Sequence, residues 1–279
     1  MRFIRKTSYN QDIRLIKHSG HLLWYGLLLM MVFLAPLFTG NYLLGELSQV
    51  FIFAIAGCGL MLLVGYTGLV SLGHGAFLAM GAYLHGYLLN VGLPLPVALS
   101  VASLVTGLIG GLLSIPALRM TGIYLAVATL AFAVIIEQAL VHWEAVTGGL
   151  RGMAIPPPEI FGFAMGDSRS FYYLCLSLLI GCLLLVMNVL RAPSGRAMLA
   201  IRDSETSAES MGINLARTKA LAFGLSAGLT GVAGALIAHR LNYLFPDSFG
   251  LTTSIQLLLW TASGLFFTVP DITDVRGEQ

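Results

Sequence analysis

The sequence predicts an all-α, polytopic bundle of about eight transmembrane helices, and three observations carry that expectation. Hydrophobic residues make up 57% of the 279-residue chain and charged residues only 10%, whereas a soluble domain is about a quarter charged. The apolar residues gather into eight stretches near the length needed to cross about 30 Å of hydrocarbon, where only internally hydrogen-bonded backbone is tolerated. The basic residues collect between those stretches. A net charge of +2 supplies no field that would gather nucleic acid, so the expected surroundings are a lipid bilayer and no nucleic-acid partner.

The stretches run over residues 22–38, 43–64, 69–89, 95–115, 123–141, 171–190, 220–238 and 253–269. The first follows Arg2, Arg5, Lys6, Arg14 and Lys17, the pattern of a signal peptide. No small-residue cleavage site follows it and it is long for a signal core, so an uncleaved first span is expected. Between the second and third lies Gly65-Tyr66-Thr67-Gly68, followed by Ser71, Gly73, His74 and Gly75, where a broken helix lining a path is most readily placed. Gly107 and Gly111 in the fourth, and Gly224 and Gly228 in the seventh, have the small-xxx-small spacing that lets helix backbones approach in lipid. The fifth carries Thr129 and Glu137, and the eighth runs into Pro270-Asp271 and a polar tail, residues 270–279.

Charge orients these spans. Five basic residues lie in the first 17, and five more, Arg191, Arg196, Arg202, Arg217 and Lys219, lie between the sixth and seventh stretches. Both segments are therefore expected in the cytoplasm. With eight spans and the N-terminus inside, Arg119 and Arg276 also fall inside, and Arg151, Arg169 and Arg240 fall outside.

The chain shows little chemistry of its own. Gly224-Leu225-Ser226-Ala227-Gly228 fits the nucleophile-elbow pattern, but that motif needs a strand-to-helix turn and here lies within a span. His142-Trp143-Glu144 lacks the cysteine pair of a zinc deaminase. Cys58, Cys175 and Cys182 all sit in apolar runs, so no metal site or disulfide framework is indicated. A phosphate-cradling loop needs a Gly-Lys pair; only Lys6, Lys17 and Lys219 exist and none follows a glycine. No cofactor is expected on this chain, and any nucleotide hydrolysis belongs to a separate one. Glu46, His74, His85, Glu137, Gln138, Asn188 and Gln256 are costly in lipid unless they face protein or water. Most lie near span ends, and a proton- or sodium-coupled carrier would bury more acids at the midplane.

The polar loop 191–219 contains a short amphipathic helix, with Asp203 as its expected N-cap and Gly212 as its stop. Met198, Ile201, Ala208 and Met211 fall at helical spacing opposite Arg202, Glu205 and Glu209. Such a helix is either a solvated loop element or a docking helix for a soluble partner.

The run Gly195-Arg196-Ala197-Met198-Leu199-Ala200-Ile201-Arg202-Asp203, continuing through Ala208, Gly212, Ile213 and Ala222-Phe223, resembles the cytoplasmic loop of LivM-type permeases, membrane subunits of branched-chain amino acid ABC importers. Three other blocks share the resemblance: Gly65 to His74, Thr121-Gly122-Ile123-Tyr124 with Thr129-Leu130-Ala131-Phe132, and Thr147-Gly148-Gly149 before Pro156-Pro157-Pro158. Together they cover roughly residues 43 to 258. The resemblance implies a single transmembrane permease domain over 1–269 in a bacterial inner membrane. It also implies as partners a homologous second permease, two cytoplasmic ATPase subunits that hydrolyse the ATP, and an extracytoplasmic binding protein. It makes Arg202, Asp203, Glu205, Ala208, Glu209, Met211 and Gly212 the elements of a coupling helix against the ATPase. Ser71, Gly73, His74, Thr129 and Glu137 are the candidates for the translocation path. The Glu-Ala-Ala…Gly pattern of ABC permeases is met only in part, by Thr206-Ser207-Ala208 and Gly212. Members of the family continue beyond the eighth span with a glycine-rich turn and a further apolar helix, so a truncated chain is expected here.

Three readings remain distinct. The chain is a non-catalytic permease subunit for branched-chain amino acids, a relative for urea or another small solute, or a stand-alone secondary carrier. An intramembrane enzyme has no coherent catalytic set.

Overall fold

The computed structural model describes residues 19–268 except 118, 119, 121, 161, 162 and 165. The N-terminal basic cluster, Arg119, Arg276 and the tail 270–279 lie outside the described residues. Eight long helices occupy the eight apolar stretches: α1 (Ser19–Phe38), α2 (Asn41–Leu60), α3 (His74–Asn90), α4 (Leu95–Ala117), α5 (Ile123–His142), α7 (Ser168–Arg191), α10 (Leu215–Leu241) and α11 (Leu251–Thr268). Short helices fill the connections: α6 (Glu144–Thr147), α8 (Pro193–Asp203) and α9 (Glu205–Ser210). The architecture is all-α. Among the described residues five helices, those over 41–65, 95–116, 123–142, 168–191 and 215–241, are long and apolar enough to cross a membrane by length and composition. The count of eight spans is not fixed by that measure.

α10 is the axis of the bundle. It packs on α4, α3 and α2, and α7 lies against the far side of α2. Glycine makes the approach possible. A Cβ at Gly81 on α3 would stand 2.4 Å from the Gly231 carbonyl, a distance that no real side chain tolerates, and one at Gly107 on α4 would stand 3.0 Å from the Gly224 carbonyl, tight enough that the neighbour must give. The small-residue spacing of α4 and α10 therefore builds a helix–helix contact. Beside the glycines α4 exposes Leu104, Leu108 and Leu112, four residues apart on one stripe. Small residues inside and leucines outside is the polarity of a helix that faces lipid. α1 is tethered by tyrosines: Tyr172 Oη donates to the Val32 carbonyl at 2.7 Å, and Tyr173 Oη to that of Phe33 at 3.2 Å.

The connections divide between two ends. At one end the antiparallel pair β1 (Met153–Ala154) and β4 (Tyr243–Leu244) joins the segment after α5 to the end of α10, with Asn90 donating to the Ala154 carbonyl. A second hairpin there pairs β2 (Glu159–Ile160) with β3 (Phe163–Ala164). The loop holding α8 and α9 lies at the opposite end, against the end of α2 and the start of α10.

Two expectations need correction. The apolar stretch 69–89 is not one helix, because helix begins only at His74. α2 instead runs on into a π-helical turn, Met61–Gly65, and 66–73 is irregular apart from the last turn at Tyr66 and Thr67. Gly68 sits at φ 70°, which helix does not allow. The polar loop likewise holds two helices. Asp203 ends the first, and Ser204 caps the second, its Oγ accepting from the Ser207 N–H at 3.3 Å. Hydroxyl side chains win this position because they satisfy an orphan N–H at a helix start. Gly212 does stop α9: at φ 83° it lets the Ile213 N–H reach back to the Ala208 carbonyl, a Schellman closure.

Candidate functional site

An interrupted backbone inside a membrane bundle must find partners for its amides in the protein. Here side chains from other helices supply them. The Leu72 N–H donates to Thr129 Oγ1 of α5 at 3.0 Å, and the Gly75 N–H to Ser254 Oγ of α11 at 2.8 Å. The Gly73 N–H is taken locally by Ser71 Oγ at 3.3 Å. Ser71, Gly73, His74 and Thr129 are all buried.

His74 is the hinge-point of this cluster. Its Nδ1 hydrogen-bonds Ser71 Oγ at 3.1 Å and its Nε2 hydrogen-bonds Ser226 Oγ of α10 at 2.8 Å. Each hydroxyl can donate or accept, so the imidazole is satisfied in either tautomer. Its ring also meets Phe77 edge-on, and Phe77 leads to Phe132 of α5. Four elements thus converge on the start of α3. Ser226 and His74 have the spacing of a nucleophile and its base, but no carboxylate orients the ring, and Ser226 is fully buried in mid-helix. The arrangement is that of a polar hub.

Of the predicted path residues, Ser71, Gly73, His74 and Thr129 come together. Glu137 does not join them: it lies two turns further along α5 and is half-buried. Nearer the β1–β4 end, a cavity of about 210 Å³ opens between α2, α10 and α11. Gln49, Gln256 and Arg240 give it polar walls, and Leu78, one turn above His74, forms part of its floor. Arg240 also approaches Glu46 at 3.6 Å.

The loop residues divide. Met198, Ile201 and Ala208 turn into the chain's own core, whereas Met211 is 82% exposed and Asp203, Glu209 and Gly212 are exposed with it. Arg202 is exposed as a residue, yet its Nη1 donates to the Gly65 carbonyl at 2.7 Å. Glu205 pairs with Lys219 of α10, whose Nζ lies 2.8 Å from each carboxylate oxygen. Ser254 and Lys219 carry no site role in the sequence, Ser226 is weighed there only as a nucleophile and set aside, and Gly65 is marked only as the start of the broken-helix run. A lone serine or lysine in an apolar helix carries no pattern, and only the fold supplies its partner.

Residues 42–270 match the family model described as branched-chain amino acid transport system / permease component. The chain belongs to that family. It is 36% identical over 236 residues to the high-affinity branched-chain amino acid transport system permease protein LivM of Salmonella typhimurium strain LT2, covering 76% of this chain and 56% of that relative. It is 36% identical over 232 residues to the LivM protein of Escherichia coli strain K12, covering 74% and 55%. The autoinducer 2 import system permease protein LsrC of Enterobacter sp. strain 638 is 27% identical over 232 residues, 79% of this chain and 63% of that one. The chain spans about half the length of the LivM relatives it matches. No solved structure matches it. This member of the permease family thus places its broken helix, its buried His74 hub and its two-helix loop within the matched residues.

Proposed function

We propose that this chain is a membrane-spanning subunit of an ABC importer that translocates branched-chain amino acids, Leu, Ile or Val, delivered by a binding protein and driven by separate ATPase subunits. Membership in the permease family and the LivM likeness support the class. The observation that carries the mechanism is the irregular segment 66–73, buried at Thr67, Leu69, Ser71 and Gly73 and held by Ser71 and Thr129 side chains, with Ser254 taking the Gly75 N–H just beyond it. Backbone of this kind at membrane depth is tolerated where it is buried in protein or lines a cavity. Hydroxyl-to-amide bonds are worth about 1 kcal/mol each, so they can be exchanged during a transport cycle far more cheaply than a helix can be unwound. The path in this reading runs from the 210 Å³ cavity past Leu78 to the His74 hub and on toward the two-helix loop. That loop faces the cytoplasm, with the N-terminus on the same side, and the β1–β4 end faces outward.

The test is reconstitution of the chain with a homologous permease, two ATPases and the binding protein in proteoliposomes. ATP-dependent uptake of labelled leucine, competed by isoleucine and valine and not by urea, is the expected result. An assembled complex that hydrolyses ATP yet moves no branched-chain amino acid would sink the substrate assignment. The LsrC likeness makes another small solute the second reading, and uptake driven by an ion gradient without ATPase would favour a carrier.

A further inference from the structure

Each short helix of the polar loop bonds the bundle through one charged side chain. From α8, Arg202 donates to the carbonyl of Gly65 at 2.7 Å. Gly65 is the last residue of the π turn, and the segment 66–73 hangs from it. That carbonyl lies at the negative end of α2, where a cation is favoured and where the helix leaves acceptors unpaired. The stem of Arg202 also covers Gly68, so the arginine grips the segment at two points. From α9, Glu205 takes Lys219, whose side chain is only 1% exposed. Lys219 and Ser226 are seven residues apart on α10, two turns and about 10 Å along one face, and Ser226 holds His74 Nε2.

We propose that Arg202 and the Glu205–Lys219 pair are positioning residues, which transmit movement of the two-helix loop to the segment 66–73 and thereby set whether the Ser71–His74–Ser226 hub is closed. The inference rests on the permease reading and deepens it. It gives Arg202 a task besides any contact with an ATPase: the residue is exposed, as are Asp203, Glu209 and Met211, and its guanidinium also holds the Gly65 carbonyl. A displacement of α8 pulls on the Gly65 carbonyl, and the irregular segment is the compliant element that follows it. Its cross-link to α5, from Leu72 to Thr129, is a single hydroxyl bond, as is the one from the adjoining Gly75 to α11, and such bonds re-form after a small shift. A displacement of α9 acts through Lys219 on α10 and meets the first at His74. Arg202 and Ser226 share no contact, yet both act on one two-state element, which is the physical requirement for coupling between distant residues.

Two measurements test it. In the purified full chain, amide exchange over residues 66–75 is followed by mass spectrometry for wild type, Arg202→Ala, Arg202→Lys and Glu205→Gln. Losing the arginine grip is expected to speed exchange there by about tenfold, the effect of one lost charge-assisted hydrogen bond, with a smaller rise for Arg202→Lys, which keeps a donor. Exchange unchanged at 66–75 in Arg202→Ala would overturn the proposal. Where Arg202→Ala does not fold, the lysine and Glu205→Gln variants carry the same comparison. In the reconstituted importer, Arg202→Ala and Ser226→Ala each lower transport, and the double variant is expected to be no slower than the slower single one. Losses that simply multiply mean independent sites and overturn the link. A wild-type chain that assembles with no ATPase removes the permease reading instead, while the exchange result still decides whether the loop grips the segment.

Discussion

His74 shows how a single side chain can hold several helices. Replacing it by alanine strands the buried Ser226 hydroxyl and leaves Ser71 only its bond from the Gly73 N–H, and a buried polar group left unpaired costs about 1–3 kcal/mol. We expect His74→Ala to lower the melting temperature of the purified chain more than Ser226→Ala does, since the serine change leaves the Ser71 bond intact. Equal melting of both variants and wild type would show that the hub contributes nothing to the fold. His85 follows the same logic one step further along α3. Its Nε2 meets His239 Nε2 of α10 at 2.9 Å, so one ring donates and the other accepts. The sequence marks both His74 and His85 as groups that lipid would penalise, and it is silent on their partners. Those lie 152 and 154 residues away, beyond the reach of any local pattern.

Among the elements, the two-helix loop separates an inward face from an outward one. Ala208 is only 2% exposed within this chain while Met211 is 82% exposed, so the two ends of the predicted apolar stripe serve different surfaces. Ala208→Asp places an unpaired charge inside the loop and should reduce the stability of the chain itself, read as lower recovery of monodisperse protein. Met211→Asp should leave recovery unchanged and reduce co-purifying ATPase by roughly tenfold, the scale of one interface anchor. ATPase recovery that is untouched by Met211→Asp would move the docking surface elsewhere. The α4–α10 contact makes a second prediction. At Gly107 even a methyl group would meet the Gly224 carbonyl at 3.0 Å, and overpacking typically costs 1–3 kcal/mol, more for a larger side chain. Gly107→Leu should therefore abolish recovery of folded protein in detergent, with Gly107→Ala intermediate. A Gly107→Leu chain that elutes and melts like wild type would contradict the close approach.

For the whole molecule, the loop with α8 and α9 and the β1–β4 end lie at opposite ends of the bundle. With Cys58, Cys175 and Cys182 replaced, Ser168→Cys should react with an impermeant thiol reagent in intact cells and Ser204→Cys only after the membrane is opened. The reverse labelling would invert the topology drawn from the basic residues.

The sequence by itself determined the helix content, the position of eight long helices to within a few residues, the glycine faces of α4 and α10, and the stop at Gly212. These are consequences of local composition: apolar runs must bury their backbone bonds as helix, and glycine ends what it cannot continue. Tertiary structure alone decided the rest. It started α3 at His74 because Thr129, Ser71 and Ser254 offered the freed amides partners, it bonded Arg202 to the Gly65 carbonyl, and it buried Lys219 because Glu205 was there to receive it. A polar group in an apolar bundle is placed by the one partner that can satisfy it, and that partner is known only once the chain has folded.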